Sequence, residues 1–202
     1  NHLYGVTYGN STYIIVGDNG TILTSTDATT WTSRTSGISK WIDAPIYKNS
    51  TFMTIGQDGV ILTSTDGTTW TSRTSGTSND FYDVTYGNST FVAVGDSGQI
   101  FTSSDGTSWD NRTSGTTNDL TGVDYGNSTF VAVGMNGTIL TSADGITWTS
   151  RTSGTTVGFT GFDYGNSIFV AVGYSGLIST STDGITWTSR TSGTSIQLTG
   201  VD

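Results

Sequence analysis

Residues 118–156, NDLTGVDYGNSTFVAVGMNGTILTSADGITWTSRTSGTT, hold four short runs of strand-forming residues separated by three tight turns. LTGVDY (120–125) leads into Gly-Asn-Ser, and TFVAVG (129–134) leads into an x-x-Gly turn. TILTS (138–142) then leads into Asp-Gly, and TWTSRT (147–152) closes the unit. Each run is rich in Val, Ile, Thr, Phe, Tyr or Trp, and each break carries the Gly, Asn or Asp that tight hairpins require. Phe130, Val131, Ala132 and Val133 are apolar in succession, which predicts a strand covered on both faces. The unit therefore reads as a four-stranded antiparallel sheet.

The same unit recurs along the chain. Trp31, Trp70, Trp109, Trp148 and Trp187 are spaced 39 residues apart, and so are the only arginines, Arg34, Arg73, Arg112, Arg151 and Arg190. The repeats span 1–39, 40–78, 79–117, 118–156 and 157–195, and residues 196–202 (IQLTGVD) open a further copy. Repeats four and five agree at 28 of 39 positions, so little divergence separates them. Four strands in about 40 residues match the blade of a β-propeller. The expected fold is all-β, one domain over residues 1–202, a five-bladed propeller with a duplicated innermost strand at its ends. Residues 1–7 and 196–202 occupy the same place in the repeat. The second copy reads either as a loose tail, as a strand that replaces the first, or as an edge that pairs with another chain.

The third turn carries a resemblance. Ser64-Thr-Asp66-Gly67-Thr-Thr-Trp70 is similar to the Asp-box, or bacterial neuraminidase repeat, and the pattern returns at Asp105/Trp109, Asp144/Trp148 and Asp183/Trp187. In the first repeat Ala28 stands in place of the glycine between Asp27 and Trp31. The resemblance implies a propeller with the box in the hairpin between strands three and four. The residues themselves suggest the roles: Asp accepts turn amides, Gly supplies positive φ, and Trp packs between blades. Members of that family include sialidases, sorting receptors, photosystem assembly factors and lectin-like binders, so the motif predicts architecture rather than activity.

Composition narrows the function. Thr, Ser and Gly fill 97 of 202 positions, with 16 Asp, no Glu, no Cys and one His. A net charge of -9 with seven basic residues argues against nucleic acid as a partner. No apolar run approaches the length of a membrane span. A sialidase site needs three converging arginines and a carboxylate base, whereas these arginines share one equivalent position, where they are expected to pair with a turn Asp or to cover a Trp face. His2 is the only histidine and lies near a terminus, so no nucleophilic triad is readable. No cofactor and no metal is expected. The Asp-Asn-Gly and Asp-Gly pieces at 18–20 and 58–59 lack the remaining ligands of a calcium loop and read as turns. Asp124, Asp163 and Asp202 share one position on the innermost strand and read as solvated polar residues, with a cation or water cluster near the central channel as the alternative. The expectation is a protein without enzymatic activity.

Comparison of the repeats with one another locates the variable positions. They fall in the segment before strand one and in the turn between strands two and three, which should emerge on one face. Repeat two departs furthest, with Lys40, Trp41, Tyr47 and Lys48 in or beside strand one, and it holds both lysines of the chain. These four are the leading ligand-binding candidates, and Met135 and Tyr174 are second-rank candidates in the analogous turns. The expected partners of such a recognition module are glycans or another cell-surface ligand met outside the cell; the alternative is a structural or engineered repeat scaffold that assembles or closes through its duplicated terminal strand.

Overall fold

A computed structural model describes residues 1–201; Asp202, the last residue of the duplicated segment, lies outside the described residues. Among the described residues, twenty strands form five four-stranded antiparallel sheets, one for each repeat. Blade one comprises β1 (Leu3–Gly9), β2 (Thr12–Gly17), β3 (Ile22–Ser25) and β4 (Thr32–Arg34). Blade two comprises β5 (Ile42–Lys48), β6 (Thr51–Gly56), β7 (Ile61–Ser64) and β8 (Thr71–Arg73). In blade three these become β9 (Phe81–Gly87), β10 (Thr90–Gly95), β11 (Ile100–Ser103) and β12 (Asp110–Arg112). Blade four holds β13 (Leu120–Gly126), β14 (Thr129–Gly134), β15 (Ile139–Ser142) and β16 (Thr149–Arg151). Blade five holds β17 (Phe159–Gly165), β18 (Ile168–Gly173), β19 (Ile178–Ser181) and β20 (Thr188–Arg190). Among the described residues no helix is long and apolar enough to cross a membrane.

Turn chemistry fixes the register of each blade. Asn10 and Ser11 have φ of 44° and 59°, the pair of positive values that a two-residue type I′ hairpin demands. The same pair recurs at Asn49–Ser50, Asn88–Ser89, Asn127–Ser128 and Asn166–Ser167. Tyr125 consequently faces Phe130 across β13 and β14, with ring centroids 4.6 Å apart. β1, β5, β13 and β17 each carry an irregularity near the start, between Leu120 and Gly122 in β13 and between Asp43 and Ile46 in β5.

Residue contacts fall into two compact units, 1–84 with 103–110 and 85–102 with 111–202. In the first, Ile14, Val16, Ile22, Ile42, Phe52 and Leu62 are buried together, with Tyr47 and Trp70 packed against them. In the second, Phe130 is buried with Val92, Val94, Leu120 and Leu140, and Phe159 and Phe169 are buried with Val131, Val133 and Ile139. Burial of each such side chain contributes roughly 1.5–3 kcal/mol. The apolar run of strand two is covered on both faces, as its sequence predicts: Phe130, Val131, Ala132 and Val133 are all fully buried.

Of the two copies of the terminal segment, the N-terminal one is the innermost strand of blade one, where β1 pairs with β2. The C-terminal copy packs against blade five, where the Leu198 amide donates to Gly173 O at 3.0 Å.

Candidate functional site

The Ser-x-Asp turns are closed structures. Ser64 Oγ donates to Asp66 Oδ1 at 2.9 Å and accepts from the Gly67 amide at 2.8 Å. Asp66 Oδ1 also accepts the amides of Thr68 and Thr69, each at 2.8 Å. These bonds, led by the Thr69 amide, stabilise the carboxylate and hold it well below the usual range. Asp27, Asp105 and Asp144 are depressed by the same kind of hydrogen bonding, and Asp183 falls to about 2, chiefly through the Thr186 and Ile185 amides. Trp70, Trp148 and Trp187 donate from Nε1 to the carbonyl of the turn glycine at 2.9–3.1 Å.

All five arginines make one equivalent contact. Each Nε donates to a threonine Oγ1 on the neighbouring strand at 2.8–2.9 Å: Arg34 to Thr24, Arg73 to Thr63, Arg112 to Thr102, Arg151 to Thr141 and Arg190 to Thr180. The expected turn carboxylate or Trp face is replaced as the Nε partner by a hydroxyl across the strand pair. Asp124 also departs from its reading as a solvated residue. Its Oδ1 accepts from Thr85 Oγ1 at 3.0 Å and its Oδ2 from the Tyr164 amide at 2.9 Å, so it links three successive blades.

The variable positions converge because backbone bonds tie them together. In each turn between strands two and three the middle residue is left-handed, with φ of 53–56° at Asn19, Asp58, Ser97, Asn136 and Ser175. The first amide of the turn is held by the residue entering strand one: Asp18 N by His2 O, Gln57 N by Trp41 O, Met135 N by Asp119 O and Tyr174 N by Gly158 O. An aspartate from the next blade caps the middle amide in two places, Asp80 on Asp58 and Asp119 on Ser97, each at 2.8 Å.

Within the first unit this arrangement gathers a mixed aromatic and charged patch. Lys40 Nζ lies 2.7 Å from Asp58 Oδ2, both side chains being partly exposed. Trp41 stacks on Tyr82 with centroids 6.3 Å apart and planes 4° from parallel. An exposed ion pair such as Lys40–Asp58 adds about 0–1 kcal/mol to stability, so its larger effect is to fix the ammonium against the turn between strands two and three. Lys40 also borders an open groove with Asn19, Arg34, Ser36 and Ile38. In blade one, Tyr4 Oη donates to Asp18 Oδ1 at 2.6 Å and the His2 amide donates to Oδ2 at 3.0 Å. The Tyr4 bond, followed by the His2 bond, lowers the Asp18 pKa, and the bond to Asp18 raises that of Tyr4.

The candidates divide. Lys40 and Trp41 share the patch. Met135 and Tyr174 come together in the second unit on either side of Gly158, where a Cβ would lie 2.8 Å from Met135 Sδ and 3.4 Å from Tyr174 Cδ2. Tyr47 and Lys48 lie at the far end of β5, beside the Asn49–Ser50 turn. Tyr47 is packed over Gly9 and against Phe52, with ring centroids 4.5 Å apart, and Lys48 is exposed. Asp58, Asp80 and Tyr82 lie outside the set of binding candidates that the sequence offers, although each occupies a position that varies between the repeats.

Comparison with known proteins bears on the fold. No protein-family profile matches the chain, and no curated protein matches it by sequence. Among solved structures it is similar to YCF48 bound to D1 peptide, at 19% identity and a TM-score of 0.72, over 93% of this chain and 66% of that one. It is similar to YCF48 from Cyanidioschyzon merolae at 19% identity and 0.70, over 96% of this chain and 73% of that one. It is also similar to the computationally designed Ika8 protein at 14% identity and 0.80, over 100% of this chain and 65% of that one. The chain thus spans about two thirds of the length of these structures. The fold is that of a β-propeller.

Proposed function

We propose that this chain is a non-catalytic recognition module that takes its ligand on the rim formed by the strand-two-to-three turns and the segments entering each blade. The observation that carries this reading is the meeting of Lys40–Asp58 with Trp41–Tyr82, four variable positions from three segments, in one patch. Non-catalytic action is supported by the arginines, which are spent on five copies of one threonine contact. The ligand class proposed first is a glycan outside the cell. Aromatic faces pack on the C–H surface of a sugar ring, and charged groups beside them bond its hydroxyls. Related patches around the rim would add avidity to weak single sites. A second reading, an extended peptide, is favoured by the similarity to a YCF48 structure bound to a D1 peptide.

A glycan array and a peptide array probed with the purified chain and with Trp41→Ala test both. Saturable sugar binding lost in the variant supports the first reading, and peptide binding lost in the variant supports the second. A folded chain that captures neither overturns the recognition module.

A further inference from the structure

Successive blades meet through one recurring contact. The tyrosine of an innermost strand lies over the glycine that ends the preceding innermost strand: Tyr47 over Gly9, Tyr125 over Gly87 and Tyr164 over Gly126. The fit is close, since a Cβ on these glycines would fall 2.0–2.2 Å from the ring Cγ. A second contact sets the turn glycine of the following blade on strand two of the preceding one: Gly67 on Ile14, Gly145 on Val92 and Gly184 on Val131.

Both halves of this joint are also present in exposed form, one on β1 and the other on blade five. On β1, Tyr8 is 58% exposed and Val6 is 63% exposed, while Val123, the counterpart of Val6 in β13, is 3% exposed. On blade five, Gly165 is exposed and meets only Asp163 Oδ2 within 4 Å. Val170 is half-buried, while its counterparts Ile14, Met53, Val92 and Val131 are fully buried.

The tail from 196 already follows the path of a next innermost strand across this seat. Thr160 Oγ1 donates to Leu198 O, which repeats the bond from Thr121 Oγ1 to Phe159 O thirty-nine residues earlier. Gly200 passes close over Gly161. The tail's Leu198-Thr-Gly200-Val201 matches Leu3-Tyr-Gly5-Val6 of β1, so the two segments are alternatives for one seat.

We propose that a second copy of this chain docks head to tail, its β1 taking the seat on β17 with Tyr8 over Gly165, and that residues 196–201 are a displaceable plug on that seat. The occupant is argued from continuity: the contact extends the joint that the blades already form with one another. A heterologous contact of this kind adds copies in series until a ring closes. Its strength is set by competition, because the plug must leave before β1 can enter. Ala28 opposes the contact, since its methyl stands where the turn glycine approaches Val92 or Val131 in other blades.

Light scattering across a concentration series tests this on the full chain and on a chain ending at Ser195, which keeps all twenty strands. The expected result is a rise in mass above 21.2 kDa for the shortened chain at concentrations where the full chain rises less. Tyr8→Arg or Gly165→Leu in the shortened chain should return it to the mass of one chain, and a mixture of the two variants should give dimers and nothing larger. A folded shortened chain that keeps the mass of one copy throughout, or a rise insensitive to Tyr8→Arg, overturns the proposal. Should the shortened chain fail to fold, a labelled peptide of residues 1–9 (NHLYGVTYG) is titrated onto the full chain. Saturable binding lost in Gly165→Leu supports the seat, and no binding overturns it.

Discussion

Gly9 lies directly beneath the ring of Tyr47: a Cβ added to Gly9 would sit 2.0 Å from Tyr47 Cγ and 2.4 Å from Cβ. The obstructing atoms are close to the Tyr47 backbone, so the ring cannot swing away. Gly9→Ala should therefore cost about 1–3 kcal/mol, as overpacking of a closed contact does. Gly165→Ala, at the equivalent position with nothing nearer than 3.6 Å, should stay within about 0.5 kcal/mol of the parent. Thermal unfolding of the two variants checks the difference.

The Ser-x-Asp turns make stability depend on acid. Asp27, Asp66, Asp105, Asp144 and Asp183 all have folded pKa values below the ordinary value of 3.8, so the unfolded chain binds protons more readily. Their contribution is complete above about pH 5 and declines as pH falls through the unfolded and then the folded values, which for Asp183 is about 2. Urea unfolding at pH 7, 5, 3 and 2 should show little change in this contribution between the first two and a steep loss below. Asp183→Asn should make that loss shallower.

Asp43 should behave in the opposite sense. Burial raises its pKa, and the bond from the Ala44 amide only partly offsets this. The folded state holds its proton longer than the unfolded chain, so this group costs stability as pH rises from 3.8 through the raised value. Asp43→Asn keeps an acceptor for Ala44 and removes the charge. The variant should be more stable than the parent at pH 7 and closer to it at pH 4 in the same urea assay.

Legibility in the sequence followed periodicity. The four strands, their turns and the fivefold repetition were readable because Val, Thr and aromatic runs alternate with Gly-Asn-Ser and Asp-Gly at a fixed spacing. Lys40 and Trp41 were readable because they break that repetition. Their partners were not: Asp58 is 18 residues from Lys40 and is brought back by the antiparallel pairing of β5 with β6, and Tyr82 is 41 residues from Trp41 and comes from the next blade. Tyr47 lies apart from Lys40 and Trp41 for a simpler reason. It lies five residues beyond Ile42 along an extended strand, and at about 3.4 Å per residue that carries it to the other end of the blade. The bulge at Ala44, with φ of 45°, turns Pro45 inward against Gly5.

Left-handed residues other than glycine mark where the fold is under strain. Ala28 has φ of 57°, where the four equivalent turns carry glycine with φ of 72–75°, and Ser11 has φ of 59° in a type I′ hairpin that favours Asn-Gly. A Cβ in this region crowds the following carbonyl and costs about 1–2 kcal/mol, and glycine returns part of that through its greater freedom in the unfolded chain. Ala28→Gly and Ser11→Gly should each raise stability by about 0.5–1 kcal/mol, and because they lie in separate turns their effects should add. Gly67→Ala, at the position matching Ala28, should be more damaging than either gain. It combines the left-handed penalty with a Cβ 3.0 Å from Ile14 Cδ1 in a buried contact. Chemical denaturation of the three single variants and the double glycine variant measures all of these together. If Gly67→Ala cost no more than Ala28→Gly gains, the turn glycines would be selected for backbone freedom alone and not for the approach of neighbouring blades.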